Sequence, residues 1–195
     1  MLREKLKDYN IILASGSPRR QHFFRELDLD FTIDVRPVEE DFPPELSGSE
    51  ITDYLARLKA SAFNDLEEKD IVVTSDTIVW MNNEAINKPG NFEEARNMLR
   101  QLSGSVHDVI TSVCFTGSDF QEVVNDTTRV WFRELTEEEI EYYLQTYKPF
   151  DKAGSYGIQE WIGYIGIERL EGSYFNVMGL PTRLVYKTLM ALAAR

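Results

Sequence analysis

The sequence predicts an α/β protein, because segments with strand-like and helix-like patterns alternate along all 195 residues. The sequence contains no internal repeat and no clean linker between domains, so we expect a single domain over residues 1–195. Some of the strands are joined by short turns, which favours a mixed sheet with antiparallel pairs over a purely parallel sheet.

The first part of the chain begins with an apolar run, Tyr9–Ala14, bounded by Ser and Gly and typical of a buried strand. Ser17-Pro18 marks the start of a helix, because serine can cap free amides and proline fits the first helical position. A second strand is predicted at 31–35 and a Pro-rich acidic loop at 36–48. Ser49 is expected to cap a long helix. The apolar stripe of that helix consists of Ile51, Leu55, Leu58, Ala62 and Leu66.

The second part opens with a β-branched run at 70–80, which is typical of a central strand and turns at Asn82-Asn83 into a further strand. Residues 106–132 are predicted to form two strands, and a final helix follows 179–181. Glycines recurring between 154 and 172 predict tight turns and short strands. Capping boxes that begin two helices are predicted at Asn91/Glu94 and Thr136/Glu139. Aromatic residues interpreted as core are Trp161, Tyr164, Tyr174 and Phe175.

Composition excludes several classes of partner. The formal net charge is −12, so the surface repels nucleic acid, and an anionic ligand must be small and bound by a local basic cluster. The charged N-terminus is followed by only four apolar residues, whereas a membrane span needs about 20. Cys114, interpreted as a core residue, is the only cysteine, which favours a reducing compartment. We therefore expect a cytoplasmic protein without membrane or nucleic-acid partners.

The segment Ser15–Arg20 has two interpretations. It follows a strand and opens a helix, so the helix amides, Gly16 and the two arginines Arg19 and Arg20 could bind a phosphate group. The alternative is a capped helix with solvated arginines, since the segment matches neither a Walker A loop nor a dinucleotide-binding fingerprint.

Asp76 interrupts an apolar strand, and a carboxylate there needs a partner, a metal ion or a proton-transfer role. Glu40, in the acidic loop, could supply one carboxylate to Mg²⁺, although such residues are more often simply solvated. Three isolated lysines near turns, Lys59, Lys88 and Lys152, are further candidates for a functional role, but each is a weak signal alone. Lys59 lies to one side of the apolar stripe of its helix, so its ammonium could simply extend to the surface. His22 and His107 lack the spacing of a metal site and are interpreted as structural.

The motifs in this order resemble the Maf family of nucleoside triphosphate pyrophosphatases. The matching segments span almost the entire chain: Leu13–Arg20, Ser75–Thr77, Asn87–Pro89, Leu102–Gly104 with His107, Asp151–Gly154, Tyr156–Gln159, and Gly172 through Asn176 to Pro181. The resemblance implies an elongated, twisted mixed sheet flanked by helices, with two lobes around a cleft, as in the Maf and inosine triphosphatase folds. It also implies a homodimer and a divalent metal cofactor, Mg²⁺ or Mn²⁺.

The resemblance further implies hydrolysis of a nucleoside triphosphate to the monophosphate and pyrophosphate. By position, Asp76 matches the catalytic acid/base, and Glu40 and Asp76 would bind the metal. The residues matching the phosphate site are Ser15, Arg20, Lys59 and Lys88. The residues matching base-preference positions are Arg19, Thr77 and Gln159, and this set resembles the branch that hydrolyses dTTP and UTP. CTP and modified pyrimidine nucleotides are kept as further candidate substrates. The alternative is a nucleotide-binding regulator of septum formation that lacks catalysis.

Overall fold

The computed structural model describes residues 1–194, in which seven strands form one mixed sheet flanked by helices. The strands are β1 (Asn10–Leu13), β2 (Thr32–Ile33), β3 (Asp70–Met81), β4 (Glu84–Ile86), β5 (Val106–Thr116), β6 (Gln121–Phe132) and β7 (Ile167–Glu171). The helices are α1 (Leu2–Lys5), α2 (Pro18–Glu26), α3 (Ser49–Ala60), α4 (Phe92–Leu102), α5 (Glu137–Tyr147), α6 (Trp161–Gly166), α7 (Tyr174–Val177) and α8 (Thr182–Leu192). The strand order is β2-β1-β3-β5-β6-β7, with β4 paired to β3.

The chain divides into two compact units, each made from separate stretches of sequence. The first unit comprises Met1–Asp76, Thr111–Asp126 and the described residues from Gly179 onward. The second unit comprises Thr77–Ile110 and Thr127–Met178.

In the first unit, β1 lies between two parallel neighbours, pairing Ile12 with Thr32 of β2 and with Val72 of β3. The parallel parts of β1 and β3 are apolar and largely buried, as expected for strands covered on both faces, whereas β2 consists of two exposed residues. Leu13, Val72 and Val73 are fully buried, as is Phe24 on the inner face of α2. Cys114 is also buried and packs with Ala56 and Ala60 of α3, which confirms its interpretation as a core residue.

In the second unit, α4 and α5 supply much of the core, and both begin with the caps that the sequence predicts. The Asn91 side chain accepts a hydrogen bond from Glu94 N, and Thr136 and Glu139 form a complete capping box. The buried side chains that these two helices contribute are Ala95, Leu99, Leu102, Ile140, Tyr143 and Leu144. Antiparallel pairing of β4 with β3 and of β7 with β6 confirms the mixed sheet.

Three local expectations are wrong. Helix α3 has Gly48 rather than Ser49 as its N-cap, and it ends at Ala60, so the predicted stripe does not reach Leu66. Residues 154–172 contain helix α6 in addition to the short strand β7. Trp161 is partly buried and packs against the core of the second unit, as expected, but the other three aromatics interpreted as core are exposed: Tyr164 by 80%, Tyr174 by 42% and Phe175 by 47%. Their rings lie on a surface, where single exposed apolar residues are common.

Within residues 1–194, each helix is too short or too polar to cross a membrane.

Candidate active site

The turn between β1 and α2 is built around a buried serine. The Ser15 hydroxyl accepts a hydrogen bond from Ser17 N at 3.3 Å, and the Gln21 amide donates to the Ser15 carbonyl at 3.2 Å. Ser17 is the N-cap and Pro18 the first helical residue, as predicted, but within the described chain the Ser17 side chain caps no helix amide. A Cβ added at Gly16 would meet no heavy atom of residues 1–194 within 4 Å, so open space adjoins this turn.

Arg20 is fixed by backbone carbonyls within the first unit. Its Nε donates to the Gly179 carbonyl and one terminal nitrogen donates to the Ser75 carbonyl, both at 2.9 Å. Burial lowers the pKa of the Arg20 guanidinium to about 10, and attraction to the Asp76 carboxylate partly opposes that effect. The guanidinium therefore remains charged near neutral pH and lies within the electrostatic field of Asp76.

Asp76, Lys59 and Glu40 form one cluster from three distant parts of the sequence. Lys59 Nζ lies 2.7 Å from Asp76 Oδ1 and 3.0 Å from Glu40 Oε2. Side-chain exposure rises along the cluster, from 9% for Asp76 through 18% for Lys59 to 49% for Glu40. The interrupted apolar strand thus has the charged partner that a buried carboxylate requires. One ammonium serves two carboxylates, so the cluster retains a net negative charge.

Polar contacts anchor α3, which carries Lys59, to the strands beneath it. The buried Thr74 hydroxyl donates to the Ala56 carbonyl of α3 at 2.7 Å. Nearer the start of the helix, the Thr52 hydroxyl lies 2.6 Å from the Ser112 hydroxyl of β5. Thr74 and Asp76 are two residues apart on β3 and therefore face the same side of the sheet. The Thr74 contact thus joins α3 to β3 beside the Lys59–Asp76 pair.

The second unit holds three residues of the expected site, Thr77, Lys88 and Gln159. Thr77 follows Asp76 on β3 and is half-buried, and the exposed Lys88 follows the end of β4. The Asn87 carbonyl accepts a hydrogen bond from Gly154 N at 3.2 Å, which attaches the segment before Lys88 to the turn at 153–155. Gln159 lies in the next turn, and its Oε1 is buried without a hydrogen-bond partner among the described residues. A buried amide oxygen without a partner is an open acceptor position for a ligand.

The structure therefore brings together four expected residues in the first unit: Arg20, Glu40, Lys59 and Asp76. It places Ser15 and Arg19 on the adjoining turn and the first helical turn. In the second unit it places Thr77 and Lys88 on or beside β3 and β4, and Gln159 on a separate turn. Their assignment to phosphate or base remains a prediction.

For a metal ion, the available ligands are two carboxylates. Among residues 1–194, no group of three or more His, Cys, Asp or Glu side chains is arranged to hold one. Glu40 and Asp76 flank a single ammonium, so their oxygens are directed at a common point. Mg²⁺ commonly binds one or two protein carboxylates and completes its shell with water and substrate phosphates. Two carboxylates near one point are thus a donor set that fits Mg²⁺ when water or phosphate oxygens complete its shell.

His107 and Cys114, interpreted as structural, are both buried. His107 Nε2 lies 2.7 Å from the Tyr156 hydroxyl, and burial lowers the pKa of the imidazole to about 4. Burial likewise raises the pKa of the Cys114 thiol, which disfavours the reactive thiolate. Neither group has the properties of a catalyst at neutral pH.

Sequence reasoning missed three polar residues that make contacts near the candidate residues, Thr74, Tyr143 and Glu160, and it did not find the contact that Lys152 makes. Thr74 was indistinguishable from other β-branched strand residues, and Tyr143 from the apolar stripe of α5. Lys152 and Glu160 proved to be partners of each other, with Nζ and Oε1 3.0 Å apart. Only Lys152 carried a signal, as a lysine next to a glycine-containing turn.

Comparison with known proteins agrees with the resemblance. The family model described as Maf-like protein matches residues 10–192. The dTTP/UTP pyrophosphatase of Christiangramia forsetii is 60% identical over 190 residues, covering 97% of each chain. The dTTP/UTP pyrophosphatase of Flavobacterium johnsoniae is 56% identical over 193 residues, covering 98% of this chain and 100% of the relative.

Solved structures show the same fold at low sequence identity. The Ham1 protein of Staphylococcus aureus aligns with a TM-score of 0.52 at 15% identity, and a Ham1 protein of Coxiella burnetii with 0.54 at 13%. Each alignment covers 94% of this chain and 99% of the other. The mixed α/β architecture is thus shared beyond close relatives, while the family match and the relatives near 60% identity establish that this chain belongs to the Maf family.

Proposed function

We propose that this chain hydrolyses dTTP and UTP to the nucleoside monophosphate and pyrophosphate. The relatives that carry this name match it over nearly its whole length. The observation that carries the proposal is the cluster of Asp76, Lys59 and Glu40, which joins a buried carboxylate to an ammonium and a second carboxylate. Hydrolysis of a triphosphate requires these two kinds of group, a proton acceptor and positive charge for the phosphates.

In the proposed reaction, water attacks the α-phosphorus. A bond forms between the water oxygen and the α-phosphorus, and the bond from that phosphorus to the α–β bridging oxygen breaks, so pyrophosphate leaves with the electron pair. Asp76 accepts the proton of the attacking water. The Lys59 ammonium, 2.7 Å from Asp76 Oδ1, orients this carboxylate and stabilises negative charge on the phosphates.

The remaining phosphate charge is met by the turn before α2 and by the basic residues. Ser15, at the end of β1, and Arg20, in the first turn of α2, act where helix amides favour an anion, and Lys88 adds a further positive charge. Glu40 and Asp76 would hold Mg²⁺ or Mn²⁺, which supplies charge neutralisation on the triphosphate when bound. An acidic protein can in this way bind a small polyanion at one local cluster.

Base preference is assigned to Arg19, Thr77 and Gln159. A carboxamide is complementary to the imide edge of uracil and thymine, because its oxygen accepts from N3–H and its nitrogen donates to a ring carbonyl. Gln159 Oε1 is buried and has no partner within residues 1–194, which supports this role. Cytosine has no N3–H, so its N3 cannot donate to that acceptor as the imide of uracil or thymine can.

Three further features are part of the proposal. We infer that residues 1–195 act as one functional domain, since the family match spans 10–192. A homodimer is inferred from the family. A cytoplasmic location is inferred from the nucleotide substrate and the lone cysteine.

The proposal is tested by incubating the full chain with dTTP, UTP, CTP, GTP and ATP, each with Mg²⁺ and with Mn²⁺. We expect monophosphate and pyrophosphate, with dTTP and UTP giving the highest kcat/KM. In H₂¹⁸O the label should enter the monophosphate, because water attacks the α-phosphorus. Label in pyrophosphate would contradict that step, and the absence of products from every nucleotide would overturn the proposed activity.

A calorimetric binding measurement beside this assay separates catalysis from regulation. A regulator of septum formation that only binds nucleotides would bind UTP tightly in calorimetry and release no pyrophosphate. We expect turnover instead, since Asp76 and the basic residues that the reaction requires are all present.

A further inference from the structure

A buried polar network lies around the turn that carries Gln159. The Tyr143 side chain is fully buried, and its hydroxyl donates to Glu160 Oε2 and accepts a hydrogen bond from Gly157 N at 3.0 Å. Lys152 Nζ lies 3.0 Å from the other Glu160 oxygen, Oε1, and 2.7 Å from Asp151 Oδ1. All of these residues belong to the second unit.

The hydroxyl of Tyr143 contacts both ends of one tight turn. Gly157 and Glu160 are also joined directly, through a backbone hydrogen bond of 2.9 Å from Glu160 N to the Gly157 carbonyl. Burial and the Glu160 carboxylate raise the pKa of Tyr143 above its usual value, so the phenol stays protonated and remains a donor. The two ends of the turn are thus hydrogen-bonded to each other, and the Tyr143 hydroxyl of α5 is hydrogen-bonded to both of them.

Gln159 lies between the two fastened residues. A Cβ built on Gly157 would lie 3.0 Å from Gln159 Nε2, 3.0 Å from Glu160 Cδ and 3.1 Å from Lys152 Cε. The Gln159 amide nitrogen and the Glu160 and Lys152 side chains therefore all approach the same point next to Gly157. Its nitrogen lies beside Gly157, while its oxygen has no partner among the described residues.

Stability alone gives little reason for such a network. A buried ion pair is often no more stabilising than apolar residues of the same volume, because desolvation offsets the Coulombic gain. Hydrogen bonds of fixed geometry do, however, define one position for the groups they join. The group whose position they define here is a carboxamide with an open acceptor.

We propose that Tyr143, Glu160 and Lys152 are positioning residues that hold the Gln159 carboxamide for recognition of the uracil or thymine imide. This inference rests on the proposed function. The network touches no reacting atom, so it acts on selection of the base and not on the α-phosphorus. A small displacement of the amide would weaken pairing to UTP and dTTP, whereas CTP, which cannot satisfy Gln159 Oε1 through N3, would be affected less.

The test is Tyr143→Phe in the full chain, with Tyr147→Phe as the matched control on the same helix. The Tyr147 ring stacks on the Tyr143 ring with 5.1 Å between the ring centroids, so both changes remove one hydroxyl from adjacent rings. We expect Tyr143→Phe to lower the ratio of kcat/KM for UTP over CTP by about tenfold, through a higher KM for UTP. Its kcat for UTP, and the selectivity of Tyr147→Phe, should stay within about twofold of the unsubstituted protein.

A second pair of variants tests the network as a unit. Glu160→Leu should reduce the same ratio, and Tyr143→Phe/Glu160→Leu should lose no more than the larger single change, because both act through one contact. If Tyr143→Phe does not fold, Glu160→Gln takes its place, since it keeps the side-chain shape and weakens both bonds.

An equal loss of kcat/KM for UTP and CTP, or an unchanged ratio in a folded variant, would overturn the positioning role. Failure of the proposed function is seen separately, because the unsubstituted protein would then release no pyrophosphate from UTP.

Discussion

The two polar clusters of this protein are built in opposite ways. In the first unit, Glu40, Lys59 and Asp76 come from a loop, a helix and a strand, and the cluster is open, with Glu40 49% exposed. In the second unit, Tyr143, Lys152 and Glu160 lie within 18 positions of sequence and form a closed network in which each polar group bonds another.

This difference in construction indicates that the two clusters have different roles. In an open cluster with one ammonium between two carboxylates, the ammonium can still bind phosphate and the carboxylates can still bind a cation. Its charges can therefore take part in a reaction. A closed network has its bonds already made, and what it contributes is the position of a neighbouring group. Removing a charge from the first cluster should therefore abolish chemistry, whereas removing a hydroxyl from the second should alter selection.

The largest expected effect is that of Asp76→Asn. Asparagine keeps the size of the side chain and can still contact a cation through its carbonyl, but it cannot accept the proton of water. We expect kcat/KM for UTP to fall by about 10³-fold or more. The matched control is Asp70→Asn, the same change at the start of the same strand, which should stay within about threefold.

Activity of Asp76→Asn that returns when Mn²⁺ is raised would show that the carboxylate serves as a metal ligand and would contradict its role as base. Retained activity at ordinary Mg²⁺ would contradict both roles.

The next largest effect is expected for Lys59→Met, which keeps the length of the side chain and removes its charge. Glu40 and Asp76 would then lose the ammonium that now lies 3.0 and 2.7 Å from their oxygens. We expect kcat/KM for UTP to fall by about 100-fold, with Lys59→Arg intermediate, because an arginine keeps the charge with a different shape. Lys69→Met, at an exposed lysine, should have no effect beyond about twofold, and an equal loss there would refute a local role for Lys59.

The elements with strong local signals could be predicted from the sequence. The start of α2 at Pro18 and the caps at Asn91 and Thr136 are confirmed, because these depend on residues within one turn of each other. The segment around Gly163 was wrongly predicted as turns and short strands, since its glycines suggested chain reversal. The structure gives another reason for this glycine: a Cβ there would lie 1.9 Å from the Ile158 carbonyl oxygen.

The candidate site was predictable only as a set of residue types in order. Motif resemblance pointed to Asp76 and Lys59, but it could not show that Lys59 lies between two carboxylates. Contacts such as Thr74 with Ala56 join residues 18 positions apart, and their hydroxyl chemistry is hidden inside a β-branched strand. Long-range hydrogen bonds of this kind depend on how helix and strand pack, which periodicity does not encode.

The smallest expected effect tests whether the open cluster also depends on a hydrogen bond that holds α3 against β3. Thr74→Val removes the hydroxyl that donates to the Ala56 carbonyl at 2.7 Å and keeps a β-branched shape in β3. Because Thr74 faces the same side of β3 as Asp76, loss of this bond should let α3 shift where Lys59 meets that carboxylate. We expect kcat for UTP to fall about fivefold with KM little changed, and the free energy of unfolding to fall by about 1 kcal/mol.

Thr52→Val is the matched control, because it removes a second buried hydroxyl from the contacts of α3, near the start of the helix, 2.6 Å from Ser112. It should cost a similar unfolding free energy, measured by urea titration, but leave kcat within about twofold. Equal loss of kcat in both variants would mean that general loosening of α3 is enough to slow the reaction. A loss confined to Thr74→Val would instead show that the open cluster, like the closed one, depends on a hydrogen bond outside the reacting groups, and the contrast between them would then lie in their charges alone.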